Sequence, residues 1–443
     1  MSVSTASSEA QVRMRDGGTA GLDSSRLVES DIASAAARVR GAEDINPGAD
    51  RMAKALARAF ELWRDRDYAR RRETIAAIAR SAGYSVAILE NSIDALLKPF
   101  TSDALKSIAA RVSSSGGIDR PKTAGFIAAG NVAGAGMHEI AIALVAGAGV
   151  VIKTASAEPI FFAEFARTLA EIDRDAGARI EVLHWSRARA DLTAALIANC
   201  ERVVAYGDDL TIESLHNRPN VIGFGSRVSA AVVAPSATDP SRIDRVAELL
   251  ARDVALFEQL GCLSLHHVFV VSPAGGVARD LAIRMSAALE RIGESMPPAK
   301  IPLRDAAEIR GVRERARWRR IAGEPVELFE GRGLEWTVVF EPRPSLFAPR
   351  AVLEDSFKIS PGFRTVHVTG VRDLGEFRDC IADVSGRIEA MAVAGDESEA
   401  ADIGATVAAI GIPYVCAPGE MQSPPLDWRH GGGGFIDMMV GAR

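Results

Sequence analysis

The sequence predicts an α/β protein with a Rossmann-type, doubly wound parallel sheet, a second α/β domain and a helical N-terminal region. Short apolar strands alternate with amphipathic helices from Thr123 onward, which is typical of parallel strands joined by crossover helices. From Ser25 to Arg111, apolar residues recur three and four positions apart, which favours helices. The chain of 443 residues is long enough for two or three domains, each with its own core.

Composition and charge exclude several classes of protein. Hydrophobic residues make up 48% of the chain and charged residues 25%, which is ordinary for a globular protein. The sequence contains no apolar run long enough for a membrane span, and Met1 to Ala10 lack the apolar core of a secretory signal, so a cytoplasmic location is expected. A formal net charge of −6 argues against nucleic acid as the main partner.

The first domain is predicted over residues 25–233, after a disordered segment at 1–24. Strands are predicted at 125–129, 149–153, 180–184, 202–206, 221–223 and 229–233, and helices at 137–146, 159–174, 190–198 and 210–217. Parallel sheets bind ligands beyond the carboxyl ends of their strands. The loops after Ala129, Lys153 and Tyr206 are therefore expected to bind a nucleotide.

The second domain is predicted over residues 234–415. Its helices are expected at 243–257, 277–292 and 374–384, and its strands at 268–271, 336–340 and 365–368, with an arginine-rich segment at 304–320. Residues 416–443 are rich in Pro and Gly, which disfavours regular elements. We expect them to form an arm that returns to the first domain or to an oligomer interface.

Cys262 is the candidate nucleophile, because it follows Gly261 in a tight connection between a predicted helix and a predicted strand. The alternative for any one cysteine is a small buried apolar residue. The four cysteines are scattered, with no Cys-x-x-Cys pair and no zinc-finger spacing, so neither disulfides nor structural zinc are expected. Glu258, four residues before Cys262, is either a proton carrier or a glutamate on a helix surface.

Two places in the first domain carry further candidates. Asn131 lies in a glycine-rich loop that departs from the G-x-G-x-x-G pattern, and its amide either caps the turn or donates to an oxyanion. Lys153 ends a strand and is followed by Thr154 and Ser156. It is either an exposed lysine or part of a site for ribose hydroxyls or a 2′-phosphate, in place of the usual acidic residue.

Gly207 ends another strand and precedes a predicted helix. A glycine at this place allows a pyrophosphate to approach a helix N-terminus. The following Asp208 and Asp209 favour helix capping and would repel that pyrophosphate.

The order of these residues resembles the aldehyde dehydrogenase superfamily, and within it the LuxC-type acyl-CoA reductases, the fatty acid reductase family. The resemblance runs from about Thr123 to the end of the chain. It depends on Ala129-Gly130-Asn131-Val132, Tyr206-Gly207-Asp208, Gly261-Cys262 and above all the long tail motif from Cys416 to Gly431.

The resemblance implies an NADPH-dependent reduction of an acyl-CoA, or of an acyl-carrier thioester, to an aldehyde, with NADH as the alternative reductant. It implies that Cys262 forms an acyl-cysteine, while Asn131 and the Cys262 backbone amide bind the oxyanion. It also implies a homo-oligomer and partner enzymes that transfer or activate acyl groups. The residues assigned to the cofactor on this basis are Lys153, Thr154, Ser156, Gly207 and Gly225.

Two departures from the superfamily pattern bear on mechanism. Hydrolytic members carry a Glu that activates water, whereas the corresponding segment here is Gly223-Phe224-Gly225-Ser226-Arg227, and glycine cannot act as that base. The acyl-thioester is therefore expected to persist until it is reduced or exchanged with CoA. In the tail, Arg429-His430-Gly431 replaces the usual histidines followed by an acid, so no catalytic role is assigned to His430.

Three alternatives stay open from the sequence. Two are enzymes of the same superfamily, a reductase of acyl phosphates and a CoA-acylating aldehyde dehydrogenase. The third is a non-catalytic binding subunit with the same fold, which the acidic pair Asp208 and Asp209 beside the expected pyrophosphate favours.

Overall fold

The computed structural model describes residues 26–41, 47–115, 120–272, 276–343 and 361–440. The chain divides into two compact units, each with its own sheet. Among the described residues, the first unit comprises those up to Ser81, Phe100–Gly225 and those from Ile436 onward, and the second comprises Ala82–Pro99 and Ser226–Phe435. The predicted N-terminal segment at 1–24 lies outside the described residues.

The first unit contains a five-stranded parallel sheet. Its strands are β1 (Thr123–Ile127), β2 (Gly149–Thr154), β3 (Ile180–His184), β4 (Arg202–Tyr206) and β5 (Val221–Phe224). They lie in the order β3-β2-β1-β4-β5. The order reverses between β1 and β4, and in such sheets the carboxyl ends of the two strands at the reversal form the ligand crevice.

The helices of this unit pack in layers against the sheet and against one another. They are α1 (Glu29–Gly41), α2 (Ala49–Arg64), α3 (Ala69–Ala82), α5 (Ser102–Ser114), α6 (Met137–Val145), α7 (Phe161–Ile172), α8 (Arg174–Gly177), α9 (Ala190–Asn199), α10 (Asp209–Glu213) and α16 (Phe435–Val440). Helices α1 and α9 share one apolar core with the sheet. Helices α2 and α7 meet through aromatic contacts of Phe60 and Trp63 with Phe165.

The second unit contains a seven-stranded sheet, ordered β12-β11-β6-β7-β10-β9-β8 and parallel except for β8. Its strands are β6 (Val228–Val233), β7 (Leu265–Val271), β8 (Glu327–Glu330), β9 (Thr337–Glu341), β10 (Thr365–Val371), β11 (Ile388–Ala394) and β12 (Tyr414–Cys416). Its helices are α4 (Val86–Leu97), α11 (Ile243–Ala255), α12 (Gly276–Ser295), α13 (Leu303–Ile321), α14 (Leu374–Ile381) and α15 (Glu397–Ala409). Helices α11 and α12 share one apolar core with the sheet, and α14 and α15 share another.

The boundary between the units differs from the predicted one at Val233. Strand β6 pairs with β7 and β11, so it belongs to the second sheet, and α4 also belongs to the second unit. The sheet to which a strand belongs depends on its pairing partners, and the hydrophobic pattern of one strand does not reveal them.

The tail is more regular than the sequence suggested. The prediction that residues 416–443 contain no regular element is wrong near their end, because α16 forms at Phe435–Val440, while β12 (Tyr414–Cys416) ends at the first residue of the tail. Within the described ranges, each helix is too short or too polar to cross a lipid bilayer.

Candidate functional site

The carboxyl edge of the first sheet carries the predicted nucleotide-site residues. Asn131 is exposed in the loop after β1, Lys153 lies near the end of β2, Gly207 follows β4 and Gly225 follows β5. Because these strands are parallel, the four positions share one edge of the sheet.

Two glycines in the loop after β1 allow close contact with its neighbours. A Cβ atom on Gly130 would lie 3.0 Å from the Cβ atoms of Ala155 and of Ala157, in the loop after β2. A Cβ atom on Gly136, whose φ is +93°, would lie 2.9 Å from the Tyr206 ring at the end of β4. The loop that carries Asn131 therefore packs between the ends of β2 and β4, at the reversal of strand order.

Lys153 is only 7% exposed, so the alternative of a surface lysine is wrong. Burial lowers the pKa of its ammonium group, and the nearby Arg187 lowers it further. Burial likewise lowers the pKa of His184, with Lys153 acting in the same direction. The exposed Arg187 lies 3.9 Å from an Asp208 oxygen. The ends of β2 and β3 are therefore a region of positive charge that would accommodate an anion.

The two hydroxyl candidates after Lys153 differ in availability. The Thr154 hydroxyl is buried, lies 3.3 Å from the Leu183 carbonyl oxygen to which it donates, and lies 3.1 Å from His184 Nδ1. It therefore links β2 to β3 and is not turned towards a ligand. Ser156 is exposed in the loop that follows and is the hydroxyl of this segment that could contact a ribose.

Gly207 and Gly225 both lie against the first turn of α10. A Cβ atom on Gly207 would lie 2.9 Å from Thr211 Cγ2, and one on Gly225 would lie 2.8 Å from an Asp209 carboxylate oxygen. The Asp208 carboxylate accepts a hydrogen bond from the Thr211 amide at 2.8 Å, so its role as a helix cap is confirmed. At the first turn of α10, two glycines thus bring backbone close to its neighbours, and the acidic side chains of Asp208 and Asp209 lie beside them.

Gly223, at the position of the hydrolytic base, leaves no room for a side chain without rearrangement. A Cβ atom there would lie 2.5 Å from Ile212 Cγ2.

Cys262 lies in a short turn before β7, and its thiol is half-buried. The Ser264 amide donates to the Gly261 carbonyl at 3.1 Å, and the Gly261 amide donates to the Ser264 hydroxyl at 3.2 Å. Gln422, from the tail motif, donates to the same hydroxyl at 3.2 Å. The turn is thus closed on itself and held by the tail.

The peptide groups on either side of Cys262 are in different situations. Its carbonyl accepts a hydrogen bond from Ser229 Oγ at 2.8 Å, and that hydroxyl in turn accepts from the Ala390 amide at 3.0 Å. Its own amide N–H donates to no other residue in the part of the chain that the structure describes. The peptide that carries this N–H is itself held by the hydrogen bond from the Ser264 amide to the Gly261 carbonyl. A held N–H beside a thiol, unengaged among the described residues, matches the requirements of an oxyanion site.

The other three cysteines are held as thiols by their surroundings. Burial raises the pKa of Cys200 and of Cys380 to about 12. Burial and the nearby Asp253 also raise the pKa of Cys416. A thiolate is the nucleophilic form of cysteine, so these three are poorly suited to covalent chemistry.

Glu258 is buried, so the predicted alternative of a glutamate on a helix surface is wrong. Its side chain is 1% exposed and forms an ion pair with Arg364, whose side chain is 0% exposed. The guanidinium donates to both carboxylate oxygens at 3.2 and 3.1 Å, and the Ala299 amide donates to the same carboxylate at 2.9 Å. Burial raises the pKa of Glu258, and Arg364 acts in the opposite direction. These partners identify Glu258 as a buried structural residue.

The tail is anchored near the Cys262 turn by groups that the sequence did not single out. The Gly431 amide donates to the fully buried Glu389 at 2.9 Å, and Arg227 lies 3.3 Å from the same carboxylate. His430 stacks on Trp428 with ring centroids 4.5 Å apart. The described residues contain no group of three His, Cys, Asp or Glu side chains arranged for a metal ion.

Ser229, Gln422 and Glu389 are the supporting residues that sequence reasoning missed. Gln422 lies inside the tail motif that carried the resemblance, which was the available signal. Ser229 and Glu389 lie at the starts of strands and had no such signal.

Comparisons with known proteins identify the family and the fold of this chain. The sequence model of the family described as acyl-CoA reductase (LuxC) matches residues 118–441, which is more than half of the chain. The chain belongs to this family. A relative of this LuxC-family chain, long-chain acyl-protein thioester reductase 2 from Photobacterium leiognathi, is 25% identical over 150 residues. That match covers 32% of this chain and 30% of the relative's length.

Solved structures show the aldehyde dehydrogenase fold. A NAD-dependent benzaldehyde dehydrogenase from Corynebacterium glutamicum is 17% identical with a TM-score of 0.66, covering 88% of this chain and 86% of its own. Aldehyde dehydrogenase 21 from Physcomitrella patens is 14% identical with a TM-score of 0.69, covering 93% and 89%. The predicted fold class is confirmed by these structures, and the resemblance to the LuxC family is confirmed by the family model.

Proposed function

We propose that this LuxC-family chain reduces an acyl thioester to an aldehyde, with NADPH as reductant and Cys262 as the covalent acyl carrier. The observation that supports this most is the Cys262 turn, where the carbonyl is fixed by Ser229 and the amide N–H is unengaged among the described residues. The substrate would be an acyl-CoA or an acyl group on a carrier protein. The acyl-protein thioester reductase of Photobacterium leiognathi supports that class of substrate.

The first step would transfer the acyl group to Cys262. The thiolate attacks the thioester carbonyl carbon, and the negative charge passes to the carbonyl oxygen, which accepts a hydrogen bond from the Cys262 amide. One such donor typically contributes about 2.7–4 kcal/mol to lowering the barrier. The carbon–sulfur bond of the substrate then breaks, and CoA leaves as a thiolate. We propose the side-chain amide of Asn131 as the second donor.

The second step would reduce the acyl-cysteine. When bound, NADPH would supply a hydride to the acyl carbonyl. The anion of the hemithioacetal on Cys262 would then collapse, breaking the bond between the acyl carbon and Sγ, which restores the Cys262 thiolate and releases the aldehyde. Gly223 supports this outcome, because no carboxylate at that position can activate water to hydrolyse the thioester.

The charge at the edge of the first sheet supports NADPH over NADH. Lys153 at the end of β2 and the exposed Arg187 are two cations near this edge, although burial is the main cause of the lowered pKa values of Lys153 and His184 and Asp208 lies 3.9 Å from Arg187. A 2′-phosphate would neutralise that charge, and Ser156 would meet the ribose. Gly207 and Gly225 would allow close approach of the cofactor backbone, although Asp208 and Asp209 are unfavourable to a pyrophosphate.

The setting of the reaction follows from its substrate. Thioesters of CoA and of acyl carriers are used in the cytoplasm, so we propose that location. The partners would be enzymes that activate or transfer acyl groups, and a homo-oligomer stays a prediction of the resemblance.

One experiment tests the function directly. The purified protein is titrated with acyl-CoA and, in parallel, with acyl phosphate while NADPH absorbance is followed. We expect oxidation of NADPH with acyl-CoA and formation of an aldehyde, both lost in Cys262→Ala and both retained in Cys416→Ala. Cys416 is the matched control because it is the other half-buried cysteine. Turnover with acyl phosphate alone would instead favour the acyl-phosphate alternative.

A further inference from the structure

The segment that leads into the Cys262 turn has an unusual backbone. Phe257, Glu258 and Gln259 have φ values of 54°, 51° and 62°, all in the left-handed region. Residues other than glycine rarely occupy this region, and three in a row do so only when their surroundings hold them there. Such conformations cluster at functional sites.

A second left-handed segment faces the first. Phe363 and Arg364 have φ values of 49° and 59°, directly before β10. The Phe363 amide donates to the Glu258 carbonyl at 2.8 Å. The Arg364 guanidinium binds the Glu258 carboxylate. Each segment therefore holds the other in its conformation.

Gln259 is the residue that connects these segments to the Cys262 turn. Its side chain is buried, and its amide nitrogen donates to the Leu265 carbonyl at 2.6 Å and to the Thr365 carbonyl at 2.7 Å. Its amide oxygen accepts from the Thr365 amide at 2.7 Å. Leu265 begins β7 and Thr365 begins β10. The Gln259 side chain thus links its own backbone, three residues before Cys262, to Leu265, three residues after it. It also links both to Thr365 in the neighbouring strand β10.

We propose that Gln259 is the positioning residue for the nucleophile. Its three hydrogen bonds fix the span from Gln259 to Leu265, and so fix the direction of the Cys262 thiol and of the Cys262 amide N–H relative to each other. Gln259 itself is only 1% exposed, so we propose that it acts through Cys262 and not by contact with substrate or cofactor. This inference depends on the proposed function, because it concerns the acylation of Cys262.

The test compares two reactions of the same thiol in the full-length protein. Acylation by acyl-CoA needs both the thiol and the amide N–H, whereas alkylation by iodoacetamide needs only an accessible thiol. The variant Gln259→Met keeps the size of the side chain and removes all three hydrogen bonds. We expect its acylation rate at saturating acyl-CoA to fall about 100-fold, the loss typical of one oxyanion donor, while KM and the alkylation rate change less than about 3-fold.

Two further variants test whether the effect comes from the Gln259 hydrogen bonds. Thr365→Val is the matched control, because it changes the residue that Gln259 binds but leaves its backbone in place, and both rates should equal those of the wild type. Gln259→Glu keeps the acceptor and regains one donor when it is protonated. Its acylation rate relative to the wild type at each pH should therefore rise as the pH falls.

The possible failures are distinct. If the wild type forms no acyl-enzyme, the proposed function fails and this inference with it. If the wild type is acylated and Gln259→Met is acylated at the same rate, only the inference fails. Equal losses of acylation and alkylation, or loss of folding in both Gln259 variants, would identify Gln259 as a purely structural residue and overturn the inference.

Discussion

Removing either partner of the buried Glu258–Arg364 ion pair should strongly destabilise the second unit. Both side chains are almost fully excluded from solvent, at 1% and 0% exposure. In Glu258→Met the guanidinium retains, among the described residues, a neutral partner, the Met296 carbonyl at 2.9 Å. In Arg364→Met the carboxylate retains the Ala299 amide as its described partner. Breaking a buried pair on one side typically costs about 3–5 kcal/mol, because it leaves a buried charge without its counterion.

The double variant Glu258→Met/Arg364→Met should lose less free energy of unfolding than the sum of the losses in the two single variants. It leaves no buried charge, and it orphans only neutral backbone groups. We expect its loss of stability to be about 3–5 kcal/mol, against about 6–10 kcal/mol for the sum of the singles. The backbone requirement is the same in each variant, since none of them introduces or removes a glycine.

Thermal unfolding followed by circular dichroism measures these effects. For a unit of this size 1 kcal/mol shifts Tm by about 2–4 °C, so each single variant should lose about 6–20 °C. The Tm of the double variant should be no lower than the Tm of the less stable single variant. Single shifts below about 2 °C, or losses that add in the double variant, would refute the structural role. A catalytic role would appear instead as lost turnover with unchanged Tm.

Two predictions concern other groups. Burial raises the pKa of Asp253 to about 8, so the folded state binds an extra proton between the unfolded pKa near 4 and pH 8. Wild-type stability should therefore fall as the pH rises from 5 to 8, by at most about 1.4 kcal/mol per pH unit, and Asp253→Asn should lack this slope in thermal unfolding; parallel profiles would contradict the assignment. Gly223→Glu restores a carboxylate where hydrolytic relatives carry their base, and should release free fatty acid without NADPH. Gly223→Gln, its control for the crowding against Ile212, should not; equal acid release from both would remove the argument from Gly223.

The sequence predicted the fold well because its strongest signals are local. The strands of the first sheet are short and mostly apolar, and β3 and β4 begin and end where the pattern places them. The prediction was weaker where the sheet to which a strand belongs depends on its pairing partners. Strand β6 has the pattern of any buried strand, and only its partners β7 and β11 assign it to the second sheet.

The site was predictable where a residue is surrounded by a motif. Asn131, Gly207 and Cys262 were found in this way, and their roles are proposals that the experiments above address. Glu258 was misjudged, because the apolar residues keep helical spacing up to Phe257, whereas the backbone is left-handed from Phe257 onward. Its partner Arg364 is 106 positions away, and no pattern in the sequence connects the two. Thr154 was assigned to the cofactor by its position, whereas its hydroxyl faces β3.

The central claim is that Cys262 carries the acyl group, and mass spectrometry of the intact protein tests it most directly. The wild type is incubated with a panel of acyl-CoA thioesters without NADPH, digested, and the modified residue is located. We predict one acyl group per chain, located on Cys262, absent from Cys262→Ala and removed as aldehyde when NADPH is added. An acyl group on Cys416, or NADPH oxidation that persists in Cys262→Ala, would contradict the mechanism.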